Sequence, residues 1–155
     1  MSPLQQTDKR LEAEPSIKPF GCFAVSLREI AEHYVGRVLS ASKNLKWYRW
    51  CVADGVLLDE EGKRAYVMDH AAVINAALYY LGAPQTARYV GAEYFDGRPP
   101  WGDMSKANYF ISQGEFEGFQ HSHFYESNRD GLKTWDPYWP HAAQYDIVSI
   151  RGFAL

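Results

Sequence analysis

The order of the residue patterns along the chain constrains its fold most strongly. Apolar residues recur at helical spacing from about residue 23 to 39 and again from 69 to 81. After Pro84 the pattern changes to short segments rich in aromatic and β-branched residues, at 87–95, 107–112, 122–127, 132–136 and 147–153. Because helices precede strands without alternation, the sequence predicts an α+β fold in which N-terminal helices pack on an antiparallel sheet of about five strands.

Three helices are predicted, and their ends are marked to different degrees. The first covers about 23–39, with an apolar stripe on one side and a polar face formed by Arg28, Glu29, Glu32, His33 and Arg37. A short second helix around 45–51 stops before the turn at Asp54-Gly55, and a surface turn follows at 59–63. Asp69 is a typical N-cap for the third helix, and Gly82 stands where that helix should stop.

The length and composition predict one domain. The chain has 155 residues, of which 46% are hydrophobic and 15% aromatic, enough for one ordinary core. Residues 1–15 are polar, end in Pro15 and show no hydrophobic period, so we expect a flexible or surface-wrapped arm. Residues 16–155 form the predicted single domain.

Charge and hydropathy argue against nucleic acid and membranes as partners. The net charge of -3 provides no long-range attraction for nucleic acid. The sequence contains no apolar run of about 18 residues and no signal-peptide pattern at its start, so we expect a soluble protein without a membrane partner. The two cysteines, Cys22 and Cys51, are expected to be free thiols, with Cys51 buried in the core among aromatic residues.

Gly21-Cys22 stands at the start of the first predicted helix, where a cysteine has chemical consequences. Unsatisfied N–H groups in the first helical turn favour a thiolate, and the preceding glycine permits a close backbone approach. About a hundred residues later, His123 and Asp136 lie on two segments that read as a hairpin. A thiol, an imidazole and a carboxylate together can form a nucleophilic site.

The hairpin geometry links His123 to Asp136 in two possible registers. A four-residue connection at 128–131 places His123 opposite Asp136, whereas a two-residue turn at Asp130-Gly131 places Asp136 opposite Tyr125. Both registers put the imidazole and the carboxylate on one face of the sheet. Asp136 can then orient the His123 ring, which leaves one ring nitrogen to take a proton from Cys22.

These motifs resemble those of a known enzyme family. The run from Pro19 to Glu32 (PFGCFAVSLREIAE), followed by His123-Phe-Tyr and Trp135-Asp-Pro, resembles the papain-like cysteine peptidases of the C39-like type, especially small phage-associated members. The segment from Asp69 to Gly82 is also similar to theirs, so the resemblance covers about residues 15–155. It implies a papain-like fold with Cys22 as nucleophile, His123 as general base and acid, and Asp136 as the residue that orients the histidine.

The chain departs from the family pattern at two positions. Ser122 replaces the glycine that usually precedes the histidine, and no glutamine stands a few residues before Cys22 to act as an oxyanion donor. Gln5 and Gln6 are far upstream. The candidate donors are therefore the Cys22 backbone N–H together with Ser16, Lys18 or a donor more distant in sequence. Trp101 and Trp135 are candidates for lining a substrate groove.

The expected activity is hydrolysis of an amide bond in a peptide or peptidoglycan, without metal or cofactor, and acyl transfer uses the same triad. Other virion proteins are conceivable partners, and the expected location is the host cytoplasm or the virion.

His121 is an alternative base. Two further interpretations stay open: a non-enzymatic virion or tail-associated protein on the same fold, and a metal site formed by His121 and His123 with Asp136 or Cys22.

Overall fold

The computed structural model describes residues 2–115, 122–138 and 146–155. The helices of these residues lie in the first half of the chain, as the sequence predicts. They are α1 (Ile17–Phe20), α2 (Cys22–Val35), α3 (Ala41–Ala53) and α4 (His70–Tyr80), with short 3-10 turns at Lys9–Leu11 and Met104–Lys106.

The strands form one large and one small antiparallel sheet. A two-stranded hairpin consists of β1 (Leu57–Glu60) and β2 (Arg64–Val67). The larger sheet has the order β4-β3-β8-β5-β6-β7, and its strands are β3 (Arg88–Tyr94), β4 (Trp101–Gly102), β5 (Tyr109–Glu115), β6 (His123–Ser127), β7 (Lys133–Trp135) and β8 (Asp146–Ala154). All its pairings are antiparallel, so the chain has an α+β fold.

The structure confirms the predicted start of the third helix but not the predicted end of the first. The Asp69 side chain accepts a hydrogen bond from the Ala72 N–H and caps α4, as predicted. The prediction that the first helix extends to residue 39 is wrong, because α2 ends at Val35. Gly36 follows with a φ of 77°, the left-handed conformation that ends many helices and that glycine adopts without strain.

The surface turn predicted at 59–63 is present at residues 61–63, and the structure adds a strand on each side of it, β1 and β2. Leu57 pairs with Val67 and Glu60 with Arg64, and the chain turns back through Gly62 at a φ of 77°. The two strands have four residues each and carry mostly exposed or half-buried side chains. Such short, charged strands lack the alternating hydrophobic pattern from which strands are recognised.

Helix α2 lies at the centre of the fold, packed against α4 and β6. Three residues of the predicted polar face are not at the surface: Arg28, Glu29 and Glu32 are each at least nine-tenths buried. Arg28 and Glu32 form an ion pair with 2.7 Å between Nε and Oε1. A helix that carries both paired charges and apolar residues can therefore be buried nearly all round.

The N-terminal segment, predicted as a flexible or surface-wrapped arm, covers part of α2. Leu4 and Leu11 are buried in the core, and Arg28 Nη2 donates to the Leu4 carbonyl oxygen at 2.5 Å. The Gln6 N–H donates to the Pro137 carbonyl oxygen at 2.8 Å. The segment thus connects the central helix to the chain that follows β7.

The main core lies between the helices and the side of the larger sheet that faces them. It includes Leu27 and Ile30 of α2, Ile74 of α4, Ile111 of β5 and Phe153 of β8. No helix in the described part of the chain combines the length and apolar character that crossing a bilayer requires.

Candidate active site

Cys22 is the first residue of α2, where the chain bends between two helices. Gly21 N donates to the Ile17 carbonyl oxygen at 2.8 Å, and a side chain at position 21 would clash with that oxygen. The predicted close approach at Gly21 is therefore present. No side chain caps the N-terminus of α2, and Cys22 is half-buried. The thiol thus lies next to the uncapped positive end of the helix dipole.

The β6–β7 hairpin brings His123 and Asp136 together. Ser127 pairs with Lys133, and an irregularity in the ladder then pairs Glu126 with Trp135. Continuing this register by one residue places Asp136 beside Tyr125, on the same face as His123. The predicted face is therefore correct, although the connection contains a bulge instead of either simple turn.

His123 lies between the carboxylate and the thiol. Its Nε2 is 2.8 Å from Asp136 Oδ1, and both side chains are almost fully buried. His123 also forms a side-chain hydrogen bond with Cys22. Because Nε2 is bonded to Asp136, we assign this second bond to Nδ1. Burial lowers the pKa of His123, but the hydrogen bonds and charges of Asp136 and Cys22 outweigh it and raise the pKa to about 9. The imidazole is therefore stabilised as imidazolium.

Asp136 is held in place by three further contacts. The Tyr138 backbone N–H donates to Oδ1 at 2.9 Å, and Lys133 Nζ lies 3.0 Å from Oδ2. Gln5 Nε2 donates to the backbone carbonyl of Asp136 at 3.1 Å. Sequence reasoning missed these contacts, because the spacing of Gln5 and Lys133 gives no sign of them.

The Ser16 and Gln6 side chains, upstream of Cys22, form hydrogen bonds with groups other than the thiol. The Ser16 hydroxyl donates to Asp59 Oδ1 at 2.5 Å, and Lys18 is exposed. Gln6 is buried, and its Nε2 donates to the carbonyl oxygens of Ile17 at 3.3 Å and Lys18 at 2.6 Å. Of the donors considered from the sequence, the backbone N–H of Cys22 is the one placed at the thiol.

A row of aromatic rings extends from the residue after Cys22. Phe23 meets His70 edge to face at 4.9 Å, His70 stacks on Tyr89 at 4.5 Å, and Tyr89 meets Trp101 at 4.6 Å. Trp101 is 43% exposed and ends this row. Trp135 instead packs near Arg28, whose Cζ lies 5.9 Å from its ring, so the structure separates the two tryptophans.

Arg151 is a buried positive charge near these residues. Its Cζ lies 5.3 Å from the ring centroids of both Phe23 and Phe124, which follow Cys22 and His123 in sequence. Nη1 donates to Gln113 and Ser149, whereas Nε is buried without a hydrogen-bond partner. None of the ion pairs formed by the described residues includes Arg151.

The other titratable candidates have structural positions. Cys51 is fully buried, and burial raises the pKa of its thiol to about 12, as expected of a core cysteine. Burial also lowers the pKa of His70 to about 4, so its ring is neutral in the aromatic row. His121, the alternative base and a member of the hypothetical metal site, lies outside the described residues.

The site thus consists of a thiol, an imidazole and a carboxylate in one connected line, supported by α2, β6 and the segment after β7. Such a line can hold a proton on the imidazole and activate the thiol as a nucleophile. We compared the chain with family models, with curated proteins and with solved structures, and none of the three comparisons gives a match.

Proposed function

We propose that the protein is a thiol hydrolase, a cysteine peptidase or amidase with a papain-like fold, that cleaves an amide bond. The observation that carries this proposal is the position of His123 between Cys22 and Asp136, hydrogen-bonded to both. The placement of the cysteine at the start of a central helix and of the histidine on a strand supports it. This is the arrangement that the resemblance to C39-like peptidases implies.

Acylation begins from the ion pair. With a pKa of about 9, His123 is an imidazolium at neutral pH. In the proposed mechanism the nucleophile is the thiolate of Cys22. The sulfur donates an electron pair to the amide carbonyl carbon, and the C=O π electrons move to oxygen, where the Cys22 N–H stabilises the charge. As the C–N bond breaks, His123 gives its proton to the leaving amine, which produces a thioester.

Deacylation reverses the proton movements. The neutral His123 takes a proton from water, and the hydroxide adds to the thioester carbon. Collapse of this intermediate breaks the C–S bond, releases the acyl group as a carboxylic acid that then loses its proton to solvent, and restores the thiolate with the imidazolium. Attack by an amine in place of water gives acyl transfer. Asp136 accepts a hydrogen bond from Nε2 throughout and keeps Nδ1 directed to the sulfur.

The proposed substrate is a peptide or peptidoglycan. Arg151 supports substrates that carry a carboxylate near the scissile bond, because its buried guanidinium has no ion-pair partner among the described residues and lies against Phe23 and Phe124. The stem peptides of peptidoglycan carry such carboxylates. Labelled peptidoglycan is therefore the first substrate to assay, with labelled casein as a general peptide substrate.

The alternative is a non-enzymatic virion or tail-associated protein that keeps the same fold. The engagement of Ser16 with Asp59, and of Gln6 with Ile17 and Lys18, favours this alternative. A missing oxyanion donor typically costs about 100-fold in rate or more. A thiol that reacts with small alkylating reagents but releases no product from either substrate would identify this alternative.

The test of the proposed activity is product release by the purified chain. We expect wild-type protein to release labelled fragments from one of the two substrates, and Cys22→Ser to reduce the rate by at least about 1,000-fold. Cys51→Ser is the matched control, since Cys51 is a buried core thiol, and it should retain the activity. Release that persists in Cys22→Ser would show that the thiol is not the nucleophile.

A further inference from the structure

A second cluster of potential ligands lies on α2, away from Cys22. Glu29 and His33 are four residues apart on one helix face, and Glu126 projects from β6 toward them. Their ligand atoms all lie within 4.8 Å of one another, and His33 Nδ1 is 2.9 Å from Glu126 Oε1. Glu29 is seven residues from Cys22, which is about 10 Å along the helix axis.

The two carboxylates of this cluster are buried without adequate partners. Glu29 is 6% exposed and Glu126 is 3% exposed, and Oε2 of each has no hydrogen-bond partner. Among the described residues, no lysine or arginine forms an ion pair with either of them. Burial raises the pKa of Glu126 to about 8. Two neighbouring buried carboxylates are unfavourable unless a cation neutralises them.

We propose that Glu29, His33 and Glu126 bind a divalent transition-metal ion, for which Zn²⁺ is the best match. One imidazole and two carboxylates are typical ligands of such ions, with bonds of about 2.0–2.2 Å that bring ligand atoms within about 3–3.5 Å of one another. The observed spacing requires only small side-chain movements. The His33 side chain is 60% exposed, which provides a path from solvent and room for water as a further ligand.

The metal has a structural role in this arrangement. It links α2 to β6, the two elements that position Cys22 and His123, and it allows both buried carboxyl groups to ionise as ligands of the cation. This site is independent of the proposed hydrolase activity, because none of its ligands belongs to the line formed by Cys22, His123 and Asp136.

The test uses the full chain with Cys22→Ser, so that the thiol cannot bind the metal. After chelator treatment and desalting, we expect one equivalent of Zn²⁺ to bind in calorimetry and to raise the melting temperature, whereas Mg²⁺ should do neither. His33→Gln and Glu126→Gln should each weaken binding by at least about 10-fold. Glu61→Gln, at an exposed turn, is the matched control and should bind as tightly as the parent.

Because His33 is exposed, His33→Gln should stay folded. It therefore tests the site even if Glu126→Gln, a change in the core, unfolds the protein. Loss of Zn²⁺ binding in a folded His33→Gln protein supports the site. The proposal is overturned if the parent protein takes up no Zn²⁺, or if His33→Gln and Glu61→Gln bind it equally well.

Discussion

Asp136→Asn is expected to slow alkylation of Cys22 at about pH 6 by about 100-fold without unfolding the protein. Asp136 Oδ1 accepts from His123 Nε2 and from the Tyr138 N–H. Oδ2 faces Lys133 Nζ. Asparagine has one accepting oxygen, so its NH₂ group must face either Lys133 or His123. If it faces His123, Nε2 must accept, and the ring proton moves to Nδ1, from which the imidazole can no longer take the thiol proton.

A second substitution separates this effect from a loss of charge alone. In Asp136→Asn/Lys133→Met the asparagine oxygen no longer has to face the lysine, so it can again accept from His123 Nε2. We expect Cys22 of the double variant to be alkylated at least about 10-fold faster than Cys22 of Asp136→Asn. Cys22 alkylation at about pH 6 measures the effect without a known substrate. A rate for Asp136→Asn within about threefold of wild type would exclude the assigned role of Asp136.

Arg28→Met is expected to lower the free energy of unfolding by about 3–5 kcal/mol, a large part of the typical stability of a domain. The Arg28 and Glu32 side chains are fully buried. The guanidinium also donates to Asn44 Oδ1 at 2.8 Å and to the Leu4 carbonyl oxygen at 2.5 Å. Methionine fills most of the volume but leaves the Glu32 carboxylate buried without its cation.

The control for Arg28→Met is an exposed arginine of the same domain. Arg49 pairs with Glu14 at the surface, so Arg49→Met should cost less than about 1 kcal/mol. Arg28→Met/Glu32→Gln should recover at least about 1 kcal/mol, because glutamine removes the unpaired charge and still accepts from the Leu39 N–H. Urea unfolding followed by tryptophan fluorescence measures all three. Equal losses for Arg28→Met and Arg49→Met would show that the buried pair is unimportant.

The order of the elements could be predicted from the sequence because it depends on local patterns. Asp69 starts α4 and the aromatic segments after Pro84 form strands, both of which follow from residue type and spacing. The burial of Arg28 and the packing of Leu4 depend on contacts between residues far apart in sequence. A helical pattern with charges on one side cannot reveal that another segment covers that side.

The candidate site likewise combines features that follow from local sequence patterns with features that depend on contacts between distant residues. Cys22 at a helix start and the shared face of His123 and Asp136 follow from helix and hairpin geometry. The contact of Lys133 with Asp136 depends on an irregular strand end, which no sequence pattern marks. Similarly, Glu29 and His33 have the spacing of an ordinary solvated helix face, and only the packing of β6 brings Glu126 to them.

The central claim is that His123 keeps Cys22 ionised, and the rate of Cys22 alkylation by iodoacetamide tests it most directly. Mass spectrometry quantifies each cysteine separately, and buried Cys51 should stay unlabelled as an internal control. Because an ordinary thiol is ionised to less than about 1% at pH 6, His123→Ala should slow Cys22 labelling at that pH by about 100-fold. The account predicts that wild-type protein is labelled faster than His123→Ala throughout the range from about pH 6 to pH 8, where His123 stays protonated. A rate that rises about tenfold per pH unit and does not change in His123→Ala would contradict it.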